Sequence, residues 1–413
     1  MTPAHATRRL AVVLSHPNQY YSPWFRWLAA HTSLSLRVFY LWDAGVTARL
    51  DPQFQTSFQW DVDLLGGYEH EFVPNTAREP GSFRFSGLRN PALPARLAAW
   101  RPDAILLFGY AYHTHLRVIL WARLHRVPLI FRGDSHLIGR GAPPFATRCA
   151  LRLLYAQFAA FLPVGAANRD YFTLLGVPEN RLHFAPHAVN SALFNSAEPS
   201  HHSAATALRQ QLGLAPSTRV VLFAGKFSAA KQPRELLAAF LALNPRDTAL
   251  VFVGDGDEKS ALHELAATAP PGSVHFLPFA NQSEMPARYL LADLFVLPSR
   301  GHYETWGLAV NEAMHLGVPA LVSDRVGCQR DLVTDDPRGT GVPPVGLEST
   351  GWVFPADTPG ALPEKLAHAL ATLADPATRT RLRAAIAARI AGYTYAQTTA
   401  GLLAALSTIP ARS

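Results

Sequence analysis

Lysine and cysteine are nearly missing from this chain. Its 413 residues include 33 arginines but only four lysines, and only two cysteines. So little cysteine excludes a disulfide-stapled fold and a cysteine-based metal cluster, and two free thiols, Cys149 and Cys328, suit a reducing cytoplasm. No apolar run is long enough to cross a bilayer. The apolar stretch behind Arg8 and Arg9 is too short for a secretory signal and reads as a first strand, Leu10 to Leu14. The turn after it carries His16, Pro17, Asn18 and Gln19. A dinucleotide-binding dehydrogenase would show Gly-x-Gly-x-x-Gly there, so the turn argues against a nicotinamide enzyme. No dense basic run or zinc-finger spacing points to nucleic acid.

What is present is 49% hydrophobic and 16% charged, enough to bury large cores over two or three domains. The net charge of +7 favours anionic partners such as a nucleotide diphosphate or a membrane surface. Peripheral association with anionic lipid stays open, although no basic amphipathic helix stands out.

The most informative stretch is Pro298 to Leu321. A strand-like run, Leu294 to Leu297, leads into a polar loop. A helix from Trp306 to Leu316 follows, stopped by Gly317 and Pro319, and an apolar run resumes at Val318. This is a strand–loop–helix–strand unit of a parallel sheet. Glu304 lies in the loop. Glu312 lies in a helix that is otherwise apolar nearly all round, where a carboxylate is costly unless it is paired or hydrogen-bonded. Two of the four lysines, Lys226 and Lys231, fall in one turn, GKFSAAK, after the strand Arg219 to Ala224. Lysine is a compact point charge suited to phosphate.

Glu304, seven residues, Glu312, then Ala-Met and Gly-Val-Pro resemble the signature of the retaining glycosyltransferases of family 4. Lys226 and Lys231 match the two basic positions of that family. The resemblance implies an α/β fold of the GT-B type: two Rossmann-like domains with parallel sheets facing across a cleft. It implies that Glu304 sits beside the donor sugar and Glu312 holds the nucleotide ribose. Lys226, Lys231 and the helix start at Trp306, Gly307 and Leu308 would meet the diphosphate. The turns at Gly225 and Gly254 would approach the nucleotide. In the first domain the loop RGDSH follows a strand, and the family's functional His falls nearest His136, with Asp134 an alternative. Glu304, Lys231 and His136 are thus the expected catalytic set. Asn18, Gln19, Arg132 and Asp134 are the expected acceptor side.

PHAVN (186 to 190), VGCQRDLV with Asp331, and GWVFP (351 to 355) match further family elements loosely, so the resemblance is specific from 219 to 355 and loose before 190. It implies an N-terminal domain to 195, a linker and entry helix over 196–212, and a nucleotide-sugar domain over 213–390. A last helix over 391–413 would cross back to the first domain. The expected substrates are a nucleotide-diphosphate sugar and a glycan or lipid-linked acceptor, as in polysaccharide or glycoconjugate synthesis. A cytoplasmic location is expected, with the inner face of the membrane left open, and no cofactor or metal. Asp61-Val62-Asp63, His113 with His115, and Asp255-Gly256-Asp257 resemble metal motifs; the first two read as structural from their context, and the resemblance makes the third a nucleotide-contacting turn. A non-catalytic nucleotide-sugar-binding protein and a sugar-nucleotide epimerase on the same fold are the rival readings.

Overall fold

The computed structural model describes residues 8–46, 49–51, 56–301, 304–335 and 349–410. His302 and Tyr303, in the loop of the Pro298–Leu321 stretch, lie outside them.

The first half alternates strand and helix as its apolar runs require: β1 Arg9–Leu14, α1 Tyr21–His31, β2 Ser35–Tyr40, a small hairpin β3 Arg49–Asp51 and β4 Thr56–Phe58, then β5 His70–Phe72, α2 Leu93–Trp100, β6 Ala104–Phe108, α3 His113–Leu124, β7 Leu129–Arg132, α4 Phe145–Tyr155, β8 Ala160–Leu162 and α5 Ala166–Leu174. Six of these strands form one parallel sheet in the order β5-β2-β1-β6-β7-β8.

The second half repeats the plan: α6 Pro199–Gln211, β9 Arg219–Ala224, α7 Pro233–Leu243, β10 Thr248–Val253, α8 Lys259–Ala266, β11 Val274–Leu277, α9 Met285–Leu290, β12 Leu294–Leu297, α10 Leu308–His315, β13 Ala320–Ser323, α11 Gln329–Leu332, β14 Gly351–Phe354, α12 Ala361–Thr372, α13 Pro376–Ile390 and α14 Tyr395–Ser407. Its sheet, also parallel, runs β11-β10-β9-β12-β13-β14. In both sheets the strand order reverses beside the first strand, and ligands bind at such a switch point, outside the carboxyl ends of the strands. The two switch points face each other across a cleft. The central strands are apolar on both faces because helices cover both, and they are buried throughout.

Three local features shape the connections. After α5 comes a short 3-10 turn, Glu179–Arg181, followed by extended chain. It runs beyond the short edge strand β8 and meets it at one bridge, Phe161 with Leu182. Within the segment 196–212, α6 begins at Pro199. Pro199 is pre-set for the first helical position, and the Glu198 side chain caps Ser200 N–H. The helix expected from Trp306 begins only at Leu308. Gly307 has φ +96°, and a Cβ there would strike Val326.

The chain leaves the second domain after α13 and returns to the first as α14, which packs on α1 and β8. Its approach is set by Gly401. A Cβ at that position would overlap the backbone of Phe184. Gly401→Ala should therefore destabilise the protein by roughly 1–3 kcal/mol, the usual cost of overpacking. Gly392→Ala, where a Cβ meets only ordinary contact distances, is the control. Equal thermal melts for the two variants would show that the close approach is not limiting.

Candidate active site

A cleft of about 440 Å³ lies between the carboxyl ends of the two sheets. Its walls come from turns that the strands of both domains lead into. Gly225, Lys226 and Lys231 belong to the turn after β9, and Gly254 to the turn after β10. Glu304, Thr305, Trp306 and Gly307 precede α10, while Leu308 and Glu312 belong to it. From the first domain come Gln19, Tyr20, Trp60 and Asp134.

The positive wall has two sources. Lys226 and Lys231 line it directly. The N-terminus of α10 opens onto it at Gly307, Leu308 and Ala309, and no side chain caps that helix. Its first N–H groups and its dipole therefore point into the cleft. The backbone comes close here because glycine permits it. Gly254 has φ +144°, and a Cβ there would overlap the Gly225 carbonyl. The two turns are pressed together, and no side chain stands between them and the cleft.

Glu304 is held from both ends. Its carboxylate pairs with Lys231 and accepts a hydrogen bond from Ser299 Oγ at 2.8 Å. Ser299 is in turn fixed by Ser323, whose Oγ donates to its carbonyl. The Glu304 backbone carbonyl accepts from His136 Nε2 of the other domain at 3.3 Å. Ile138 N–H donates to His136 Nδ1 at 3.1 Å, which puts the ring proton on Nε2. Burial lowers the His136 pKa, so the ring is neutral at pH 7.

Glu312 is 3% exposed, yet its carboxylate reaches the cleft. The protein partners are uncharged donors: Tyr289 OH at 2.7 Å, Tyr20 OH at 3.2 Å and Gln282 Nε2 at 3.5 Å. Burial pushes the Glu312 carboxyl up to about 7. Burial, reinforced by the Glu312 charge, holds both tyrosine hydroxyls well above their ordinary range, so both remain donors. Tyr20 belongs to the loop after β1, so this hydrogen bond also crosses the cleft.

The structure separates the first-domain candidates. Asp134 lines the cleft, accepts from Thr305 Oγ1 at 2.8 Å and lies 3.7 Å from His187 Nε2. Burial alone would raise its pKa; His187 and Thr305 outweigh it and hold the carboxyl below its ordinary range. His136 stands behind the cleft wall, in contact with Glu304. Gln19 lines the cleft. Asn18 does not: its Oδ1 caps the backbone of Tyr20 and Tyr21 at the start of α1. Arg132, expected on the acceptor side, is 1% exposed. Its guanidinium turns into the core, donates to Ala185 and Pro186 carbonyls and stacks over Tyr21 and Trp24. An arginine at a strand end satisfies carbonyls of an irregular neighbouring segment as readily as it meets a ligand.

Sequence reasoning missed Tyr20, Trp60, Gln282, Tyr289 and Thr305. Tyr20 adjoins Gln19 and was within reach of the strand-end argument. Tyr289 and Gln282 carry no signal along the chain. The two Asp-x-Asp motifs have protein partners. Asp61 bonds Ser283 across the domain interface, and Asp63 caps Leu65 and Gly66. Asp255 pairs with Lys259 and accepts from Gly256 N–H. His115 is fully buried, and its burial lowers its pKa to about 3. Among the described residues no three His, Cys, Asp or Glu side chains are grouped to hold a metal ion. Asp331, aligned with the family's second-domain carboxylate, instead accepts from Ala166 N–H at the start of α5.

Comparison with known proteins gives three kinds of match. The family described as "Glycosyl transferases group 1" matches residues 205–388. A D-inositol 3-phosphate glycosyltransferase of Nocardia farcinica is 31% identical over 354 residues, covering 78% of this chain and 73% of that protein. One from Xylanimonas cellulosilytica is 32% identical over 239 residues, 57% of this chain and 53% of the relative. The match thus spans about half the length of the Xylanimonas protein. Among solved structures, Anabaena HepE in complex with UDP and glucose superposes with a TM-score of 0.67 at 20% identity, over 97% of this chain and all of that one. A Rickettsia africae glycosyltransferase reaches 0.72 at 11% identity, over 98% and 99%. These two likenesses show the fold.

The Glu312 cradle has a pH signature. Its folded pKa is raised above the unfolded value of 4.5, so the folded state keeps this proton longer than the unfolded state does. Its contribution is fully present below about pH 4.5 and is lost as pH rises through about 7. Asp331, raised by burial to about 6, acts in the same direction. Thermal melts between pH 5 and 8 should therefore decline less steeply in Glu312→Gln than in the wild type. Parallel slopes would show that Glu312 ionises freely in the folded protein.

Proposed function

Because this chain belongs to the group 1 glycosyltransferases, we propose that it transfers a sugar from a nucleotide-diphosphate donor to a glycan or lipid-linked acceptor, with retention of configuration. The observation that carries the reading is one cleft uniting two lysines and an uncapped helix N-terminus with two carboxylates held by protein donors. The donor diphosphate lies along the first group. Lys226, Lys231 and the α10 N-terminus then stabilise the charge that grows as the sugar–phosphate bond breaks. Glu304, fixed by Ser299 and Lys231, orients the donor sugar and supports positive charge near its anomeric carbon. Glu312 accepts from the ribose diol, alongside or in place of Tyr20. His136 positions Glu304 through its carbonyl. Asp134 and Gln19 form the acceptor side.

Retention by two steps needs a carboxylate nucleophile about 5–5.5 Å from an acid partner. The carboxylates that line this cleft are Asp134, Glu304 and Glu312, and each is engaged by protein donors. Attack of the acceptor hydroxyl from the face that the diphosphate leaves fits these residues better, with the hydroxyl proton passing to the departing phosphate oxygen. The D-inositol 3-phosphate relatives suggest small polyol acceptors as a first panel. A non-catalytic binding protein would hold the donor without turnover, and an epimerase would isomerise it, so product analysis with several nucleotide sugars separates the three.

Glu304→Gln is isosteric and should lower transfer by a factor on the order of 10² or more while leaving the thermal melt near that of wild type. Wild-type turnover would remove Glu304 from the mechanism. Because fixed positive charge already faces the diphosphate, transfer should survive EDTA, while Lys231→Ala should lose both donor affinity and rate. A requirement for added magnesium or manganese would overturn the role given to the lysines.

A further inference from the structure

Among the described residues, nine large apolar side chains are conspicuously exposed, and seven belong to one face of the first domain: Phe83, Phe85, Leu116, Leu120, Leu124, Phe145 and Leu153. Three of them, Leu116, Leu120 and Leu124, are spaced four apart on α3 and so share one side of it. The opposite side of α3, with Val118, Ile119 and Ala122, is already buried in the core. The stripe is thus a second apolar side, unused by the fold.

Neighbouring elements continue it. The Phe83–Phe85 turn is tied to the start of α3 by Tyr112 OH, which donates to the Ser82 carbonyl at 2.9 Å, and by Phe85 packing edge-on against His113. At the other end of α3, Arg123 donates to Gln157 Oε1 at 3.1 Å, and Gln157 donates to the Leu153 carbonyl, which brings α4 alongside. On the two helices charge has one sign, while in the Phe83–Phe85 turn Arg84 pairs with the exposed Glu79. Neither α3 nor α4 contains an acidic residue, whereas Arg117, Arg123 and Arg152 are exposed on them. Between Ala104 and Arg169 the single acidic residue is Asp134, in the cleft. Exposed leucine and phenylalanine amid uncompensated arginine complement a surface with an apolar interior and anionic head groups.

We propose that this face seats on an anionic lipid bilayer, with the leucines and phenylalanines entering the head-group boundary and the arginines meeting lipid phosphates. No described helix is long and apolar enough to cross a membrane, so the attachment is peripheral. The Phe83–Phe85 turn and the start of α3 lie at the carboxyl end of the sheet, the same end as Asp134. On the transfer reading above, an acceptor carried by a lipid would therefore reach the cleft from this side. The docking itself does not depend on that reading.

The test is sedimentation of the full chain with phosphatidylcholine vesicles, with and without about one-third phosphatidylglycerol. Wild-type protein should bind the anionic vesicles at least tenfold more strongly than the neutral ones, and less strongly at high salt. Leu120→Glu/Leu124→Glu changes two exposed side chains, so its melt should match wild type while vesicle binding falls at least tenfold. Arg117→Glu/Arg123→Glu should lose the preference for anionic lipid. No binding by wild type, or equal binding by the leucine variant, would overturn the proposal. So would a wild-type dimer that the leucine variant converts to monomer without any lipid binding, since the face would then belong to a second copy. Donor turnover without vesicles is a separate readout that the leucine variant should leave unchanged; its absence in wild type would count against transfer, not against docking.

Discussion

The site depends on one doubly held residue. Glu304 comes from a loop, where a backbone without regular hydrogen bonds does not set a side chain's direction by itself. Here Lys231 and Ser299 fix its carboxylate within the second domain, and His136 of the first domain fixes its carbonyl. The cleft wall at Glu304 and the contact between the two domains therefore share one residue. A shift of the first domain would remove the His136 donor and leave the carbonyl to Gly327 N–H alone, and a change at Lys231 would leave a partly buried carboxylate without its cation.

Glu312 obeys a related constraint by different chemistry. Its position inside α10 brings burial without a cation, and three neutral donors answer it. One donor, Tyr20, crosses from the first domain, as do the contacts of Asp134 with Thr305, Asp61 with Ser283 and Asp331 with Ala166. The cleft is closed by a distributed set of polar contacts, each modest. This suits two domains that must open for a ligand, since interfaces of this kind permit relative motion.

The second-domain wall of the cleft was legible because its logic is local. A strand end, a glycine turn and a helix start occur within a few residues of one another, so Lys226, Lys231, Glu304 and Glu312 could each be placed from spacing and resemblance. Where local logic met a distant partner, it failed. Arg132 ends a strand, as a ligand-binding arginine might, but the irregular chain at Ala185 and Pro186 takes its guanidinium into the core.

The chain alone determined two repeated parallel α/β halves, through its buried apolar strands and the helices between them, and it marked the positive wall of the cleft by concentrating half of its few lysines in one turn. Tertiary structure decided which groups surround each carboxylate, because Tyr20, Tyr289 and His136 are remote in sequence from the residues they hold. It also decided the meaning of α3. That helix carries apolar residues on two sides; only the packed sheet shows that Val118 and Ile119 use one side while Leu120 and Leu124 remain in water. Periodicity tells which side chains share a face. Which face is covered depends on what the rest of the chain brings against it.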